Sequence, residues 1–389
     1  MAVFLISIWK CSMRIYIVRY GDSLYSIARR FGTTVQTLAY ENQLSDPSRL
    51  PVGLALVIPG GGDAQQGSIE VNAYAYPNVS DATLNETLPY LTFLCPFSWQ
   101  MDPAGGITPT DDRRMISAAY AQNTAPLLTL TNIGPSGGFS SDIAHAIFTD
   151  QRAQDTLIQN VLAALRSRRY YGVNLNVEYV YPFDREGYNA FLQRMAETLH
   201  PLGYYLSSAI APKTSDEQQG LLYYAHDYAA HGRWCDRVVI MTYEWGYTYS
   251  QPMAVSPVDR MRQVIEYAVT RIPSGKILLG FSNYGYNWTL PWKQGQAASV
   301  ISNAAATDLA SSTFAQVKFD GKAQAPYFNY TDPAGKRHEV WFEDARSVRA
   351  RLRLVREYGL AGISYWTVNR LYRPGLEALS SMHSVEKII

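Results

Sequence analysis

The stretch GVNLNVEYV, Gly172 to Val180, has the alternation of a β-strand with two chemically opposed faces. At period two, Val173, Leu175 and Val177 share one side, and Asn174, Asn176 and Glu178 share the other. Buried in an ordinary core, that second face would cost several kcal/mol of uncompensated polar burial. A closed parallel barrel removes the conflict: its strands send apolar residues outward to helices and carry catalytic residues at their C-terminal ends. Barrel interiors are otherwise filled by Val, Ile and Leu, so a strand with Asn, Asn and Glu facing inward marks a working face, with Glu178 at its top.

Working outward, seven more strand-like runs alternate with helical ones. They are IEVNAYA (69–75), YLTFLCPFS (90–98), APLLTLTN (125–132), YYLSSAIAP (204–212), RVVIMTYEW (237–245), KILLGFSNYG (276–285) and GISYWTV (362–368). Before the fourth strand, DQRAQDTLIQNVLAALRSRR places Leu157, Ile158, Val161, Leu162 and Leu165 on one helical stripe, as an outer helix of a barrel requires. Late in the chain, YFNYTDPAGKRHEVWFE is a hairpin signature around Asp332 to Gly335. The expected fold is a (β/α)8 TIM barrel over 69–389, with a small α+β insertion at about 289–343 between strands seven and eight. A partly buried Glu at such a barrel mouth keeps its proton towards neutral pH, which makes Glu178 the leading candidate for a functional carboxylate.

Ahead of the barrel, residues 14 to 59 read as a compact β-α-α-β unit. The strand IYIV leads to RYGDS, then SLYSIARRFG sets Leu24, Ile27, Ala28 and Phe31 at helical spacing between a cap at Asp22 or Ser23 and Gly32. A second helix, TVQTLAYENQL, and a closing strand, ALVIP, complete it. Residues 60–68, GGGDAQQGS, offer nothing apolar to pack and read as a flexible tether.

Composition limits the functional classes. With 47% hydrophobic and 17% charged residues and a net charge of +1 over 389 residues, the chain is globular and lacks the basic runs of a nucleic-acid or anionic-membrane binder. Its 29 Tyr and 8 Trp suit stacking against the apolar faces of sugars as well as core packing. Cys11, Cys95 and Cys235 are scattered and read as buried free thiols. The dispersed histidines give no ligand spacing, so neither a metal nor another cofactor is expected. No run is long enough for a membrane span. The apolar run Val3 to Trp9 lacks the flanks of a signal peptide, and Met13 is an alternative start.

The motifs YGDSLYSIA, NQL and LPVGLALVIP resemble a LysM domain. That family binds N-acetylglucosamine chains in a shallow groove, which here implies the loops Gly21, Asp22, Ser23, Leu24 and Leu50, Pro51, Val52. From about Ile69 onward the chain resembles glycoside hydrolase family 18, in particular its LysM-bearing subgroup linked to spore germination, which hydrolyses cortex peptidoglycan. The fourth-strand pattern of that family is Asp-Gly-x-Asp-x-Asp-x-Glu. Tyr171, Gly172, Asn174, Asn176 and Glu178 occupy its named places, so the glycine and glutamate are retained and all three aspartates are replaced. MTYEW, Met241 to Trp245, stands where the family has Met-x-Tyr-Asp, with Tyr243 retained and Glu244 in place of the aspartate. Trp366 matches the tryptophan that floors the sugar site.

The resemblance implies a retaining reaction in which the acetamido oxygen of the substrate is the nucleophile, an exception to the two-carboxylate rule. Glu178 would be acid and then base, Asn176 would orient the acetamido group without a charge, and Tyr243 would donate to its carbonyl. Trp366 would stack beneath the sugar, with Asn174, Glu244 and Trp245 also at the binding site. Glu244 is expected either to restore a negative charge or to serve an outward salt bridge. Since lactam-forming muramic residues lack a free acetamido group, cleavage is expected after N-acetylglucosamine. The implied partner is a peptidoglycan or chitin-type polysaccharide, met by a monomer in the spore cortex or integument. A chitinase and a binding-only spore or wall protein are the competing readings.

Overall fold

The computed structural model describes residues 13–60 and 67–389. Cys11, the Val3 to Trp9 run and most of the expected tether lie outside them. Eight parallel strands close into a barrel: Ser68–Ala75, Phe93–Pro96, Ala125–Thr131, Gly172–Asn176, Tyr205–Ile210, Arg237–Ile240, Ile277–Ser282 and Gly362–Trp366. Closure is made by the first strand, which pairs Asn72 with Phe93 on one side and Glu70 with Gly362 on the other.

Val173, Leu175 and Val177 face the apolar layer under the outer helices, together with the stripe Leu157, Ile158, Val161, Leu162 and Leu165 of helix Gln151–Arg168. Gly172 is dictated by crowding, since a Cβ there would lie 2.1 Å from the Tyr205 carbonyl oxygen.

The barrel interior departs from the expected Val, Ile and Leu filling. Asn72 donates to Ser364 (2.9 Å) and accepts from the Cys95 thiol (3.1 Å), and the Tyr74 hydroxyl donates to Asn174 (2.9 Å). Polar strand residues are therefore not confined to the fourth strand, and Asn72, Tyr74 and Asn174 are each satisfied by other strands. Cys95 and Cys235 are buried free thiols.

Between the seventh and eighth strands, a five-stranded antiparallel sheet runs from Gly285–Leu290 to Arg337–Trp341. The hairpin is there, with Ala325–Thr331 paired to Arg337–Trp341. The sheet begins at Gly285 because the chain leaves the seventh strand at Ser282, earlier than its continuous apolar pattern implied.

Residues Arg14–Ile17 and Ala55–Ile58 pair antiparallel around helices Leu24–Phe31 and Val35–Glu41. Asn42 ties them together, donating to the Leu38 (2.9 Å) and Val57 (2.8 Å) carbonyls and accepting from Val57 N–H (2.6 Å).

This module is docked on the barrel. Val317 N–H donates to the Val52 carbonyl (2.9 Å), Ser45 to Asp308 (2.6 Å), Gln43 to the Leu371 carbonyl (3.1 Å), and Arg373 N–H to Gln43 (2.8 Å). The Arg373 guanidinium lies 4.0 Å from the Tyr40 ring centroid. Ser68, assigned to the tether, already belongs to the first barrel strand.

Candidate active site

Glu178 stands two residues beyond the fourth strand, where sheet hydrogen bonding has ended. Asn132, just past the end of the third strand, replaces it: Glu178 N–H donates to Asn132 Oδ1 (3.0 Å), and Asn132 Nδ2 donates to the Glu178 carbonyl (2.7 Å). His226 secures the preceding residue. Its Nδ1 accepts from Ala211 N–H (3.0 Å), which leaves Nε2–H to donate to the Val177 carbonyl (2.9 Å). Burial holds that imidazole neutral, with its pKa pushed down to about 4.

With its backbone fixed, the Glu178 carboxyl receives no hydrogen bond among the described residues. Burial alone pushes its pKa up to about 7, so near neutrality it is poised to give and take a proton. Tyr243 is its neighbour. Burial, and next the charge of Glu178, hold the Tyr243 hydroxyl well above the usual tyrosine range, so it remains a donor.

The two asparagines separate in role. Asn174 is fully buried, with its oxygen taken by Tyr74 and its amide N–H donated to Ser207 (2.9 Å). It sits beneath the site as a brace, and the expected sugar contact is not available to it. Asn176 is also buried, yet its Oδ1 has no partner among the described residues. A buried orphan acceptor of this kind costs roughly 1–3 kcal/mol, and an amide N–H from a ligand would satisfy it.

Trp366 ends the eighth strand as a half-buried floor. The edges of Phe97, Tyr74 and Tyr76 surround it at centroid distances of 4.8, 5.3 and 5.8 Å. These rings limit the indole to one orientation with a face left for stacking.

Glu244 occupies left-handed backbone (φ 67°) and accepts from Tyr284 and Tyr286, the latter at 3.0 Å. Burial of its carboxylate raises its pKa against the pull of those two donors. The outward salt bridge considered for it is absent among the described residues, because both tyrosine hydroxyls take its oxygens. Two clefts meet at Glu244. One, of about 790 Å³, is lined by Tyr76, Asn78, Tyr284, Trp366 and Arg370. The other, of about 460 Å³, is lined by Glu217, Tyr223, Tyr243, Trp245 and Arg260.

In the small module, Gly21 is exposed with open space around it, but Asp22 accepts from Tyr16 (2.7 Å), Ser23 caps a helix, and Leu24 is a core residue. Leu50 packs on the same core, Pro51 is buried, and the Val52 carbonyl is taken by the barrel. The groove expected over these loops is thus, at Leu24, core and, at Val52, an interdomain contact.

Sequence reasoning missed Tyr74, Tyr76, Asn132, Tyr284 and Tyr286. The signal was present as polar and aromatic residues at the C-terminal ends of the first and third strands, where barrels place function, and in the segment that leads from the seventh strand into the inserted sheet. Among the described residues no group of three or more His, Cys, Asp or Glu could hold a metal.

The family model described as Glycosyl hydrolases family 18 matches residues 99–370. The chain belongs to that family. A LysM domain model matches residues 16–59 ahead of the family 18 barrel. The chain is 40% identical to the Cortical fragment-lytic enzyme of Bacillus subtilis (strain 168), over 96% of this chain and 99% of that relative. The spore cortex-lytic enzyme SleL of Bacillus cereus, a crystal structure, superposes with a TM-score of 0.91 at 33% identity, covering 97% of this chain and 99% of that one. A chitinase from Chromobacterium violaceum ATCC 12472 shares the fold at TM-score 0.74 and 27% identity, covering 81% and 98%. The family 18 enzyme is a glycosidase, and no helix among its described residues is long and apolar enough to cross a membrane.

Proposed function

We propose that this family 18 glycosidase hydrolyses the β-1,4 bond after N-acetylglucosamine in spore-cortex peptidoglycan, as an N-acetylglucosaminidase. The supporting observation is the Glu178 carboxyl, held near pKa 7 with no hydrogen-bond partner among the described residues, beside a buried Asn176 acceptor that also lacks one. Cortex as the polymer follows from similarity to the two cortex-lytic relatives.

Each residue has a distinct task in this reading. Trp366 stacks under the N-acetylglucosamine, Asn176 accepts its acetamido N–H, and the Tyr243 hydroxyl donates to the acetamido carbonyl region. The acetamido oxygen attacks the anomeric carbon while Glu178 protonates the leaving oxygen, breaking the glycosidic bond. Water then opens the oxazolinium ring as Glu178 takes back a proton, so the anomeric configuration is retained. Asn176 orients without neutralising the cation; Glu244 supplies the nearby negative charge.

The LysM module, residues 14–59, adds glycan contacts beside the barrel. The enzyme acts as a monomer on the spore cortex or integument. The direct test incubates the full chain with cortex fragments and identifies the new reducing ends. N-acetylglucosamine ends are expected. Muramic ends, or tight binding with no cleavage, would overturn the assignment, and faster turnover of chitin than of cortex would move it to the chitinase reading.

A further inference from the structure

Arg370 lies in the larger cleft beside Trp366, and its guanidinium makes no ion pair or hydrogen bond among the described residues. It is nevertheless held in place. Its carbonyl accepts from Asn283 Nδ2 (2.6 Å), and its guanidinium lies over the Tyr284 ring at 5.8 Å. The preceding residue, Asn369, is clamped to the end of the first strand, accepting from Tyr76 N–H (2.8 Å) and donating to Asn78 (2.9 Å). Glu244, the carboxylate lining this cleft, is committed to Tyr284 and Tyr286 and forms no ion pair with Arg370. The result is a pre-positioned planar cation facing a glycan cleft with no ion-pair partner among the described residues, the Glu244 carboxylate in the same lining being taken by two tyrosines.

A neutral polymer such as chitin gives this cation no counter-charge. Peptidoglycan alternates its sugars, so an N-acetylglucosamine seated on Trp366 has a muramyl residue before it. That residue carries a lactyl arm at O3, either closed as an uncharged lactam or extended by an amino acid that ends in a carboxylate. We propose that Arg370 recognises this arm carboxylate on the muramyl residue preceding the cleaved N-acetylglucosamine. The fork of a guanidinium matches a carboxylate with two parallel hydrogen bonds, and stacking on Tyr284 reduces the ordering cost. The smaller cleft also contains an arginine, Arg260, but two carboxylates, Glu217 and Glu244, share that lining and outnumber it.

The inference rests on the N-acetylglucosaminidase reading, and the experiment separates the two. Defined cortex tetrasaccharides carrying either an alanyl arm or a lactam on the preceding muramyl residue are compared by kcat/KM, with reducing-end analysis. Wild type is expected to prefer the alanyl arm by about tenfold, the scale of one charge-assisted contact. Arg370→Ala should bring the ratio to near one, and Arg370→Lys, which keeps the charge but loses the fork, should fall between. A ratio left intact in Arg370→Ala, no preference in wild type, or a preference that follows an arm on the leaving side instead would each overturn the proposal. Cleavage after N-acetylglucosamine in those cases leaves the parent reading standing, whereas no cleavage of either substrate by wild type removes both. An unchanged unfolding midpoint in the variants establishes that the ratio reports recognition.

Discussion

At the scale of single residues, Glu178 combines catalytic readiness with a stability cost. Burial raises its pKa from 4.5 to about 7. The folded state therefore holds its proton over a window in which the unfolded chain has lost it, and stability falls as pH rises from about 4.5 to about 7. Glu178→Gln removes that penalty. The variant should be more stable than wild type at pH 8 by up to about 3 kcal/mol, and nearly equal to it at pH 4, in thermal unfolding. The same variant should lose at least about 10³-fold in kcat while still binding cortex fragments. A comparable loss of binding would mark a structural glutamate. Because the proton donor must start protonated, kcat/KM of the wild type should drop about tenfold per unit above pH 7. Asn176→Ala should lower kcat by roughly 10–100-fold with a smaller change in KM, because the lost contact matters most as the acetamido group turns to attack.

At the scale of elements, the fourth strand shows how far the sequence can be read. Its alternation identified the outward and inward faces, and Gly172 is explained by the Tyr205 carbonyl 2.1 Å from where a Cβ would sit. Gly172→Ala should cost about 2–4 kcal/mol in denaturant unfolding, since the atoms it would meet are the Tyr205 backbone and Cβ, which have little room to adjust. The strand's end was not legible. The pattern ran to Val180, whereas the ladder stops at Asn176, and on the sixth strand it ran to Trp245 whereas the ladder stops at Ile240. Side-chain periodicity continues after neighbouring strands diverge at the barrel mouth. Glu178 and Tyr243 occupy those divergent segments, where partners distant in sequence such as Asn132 take over from the sheet.

At the scale of the whole molecule, the LysM module and the barrel are packed together. Gly53 (φ 87°) sits at a tight approach, with a Cβ position 1.9 Å from the Val317 carbonyl oxygen. Wild type should unfold in one calorimetric transition, and Gly53→Ala should split it by loosening the dock. The interface also carries a proton-linked site. Burial, and next the charge of Glu41 on the LysM side, push Glu377 up to about 7, while Glu41 is itself raised by burial and by Glu86 and lowered by Arg373. Protonation of Glu377 therefore supports docking below about pH 4.5, and the support is lost as pH rises through about 7. Glu377→Gln should raise the unfolding midpoint at pH 8 and leave it nearly unchanged at pH 4.

By itself the sequence determined the strand alternation, the helical stripes, the capped LysM unit and the retained Gly172, Glu178, Tyr243 and Trp366, because each is written in residues close together along the chain. Only the tertiary structure decided that Asn174 is a brace while Asn176 is an open acceptor, that Glu244 faces two tyrosines, and that the LysM module is docked. Those outcomes depend on desolvation and on partners brought together from segments far apart in the chain. Alternation gives the side of the sheet a group occupies, but not which neighbour meets it there.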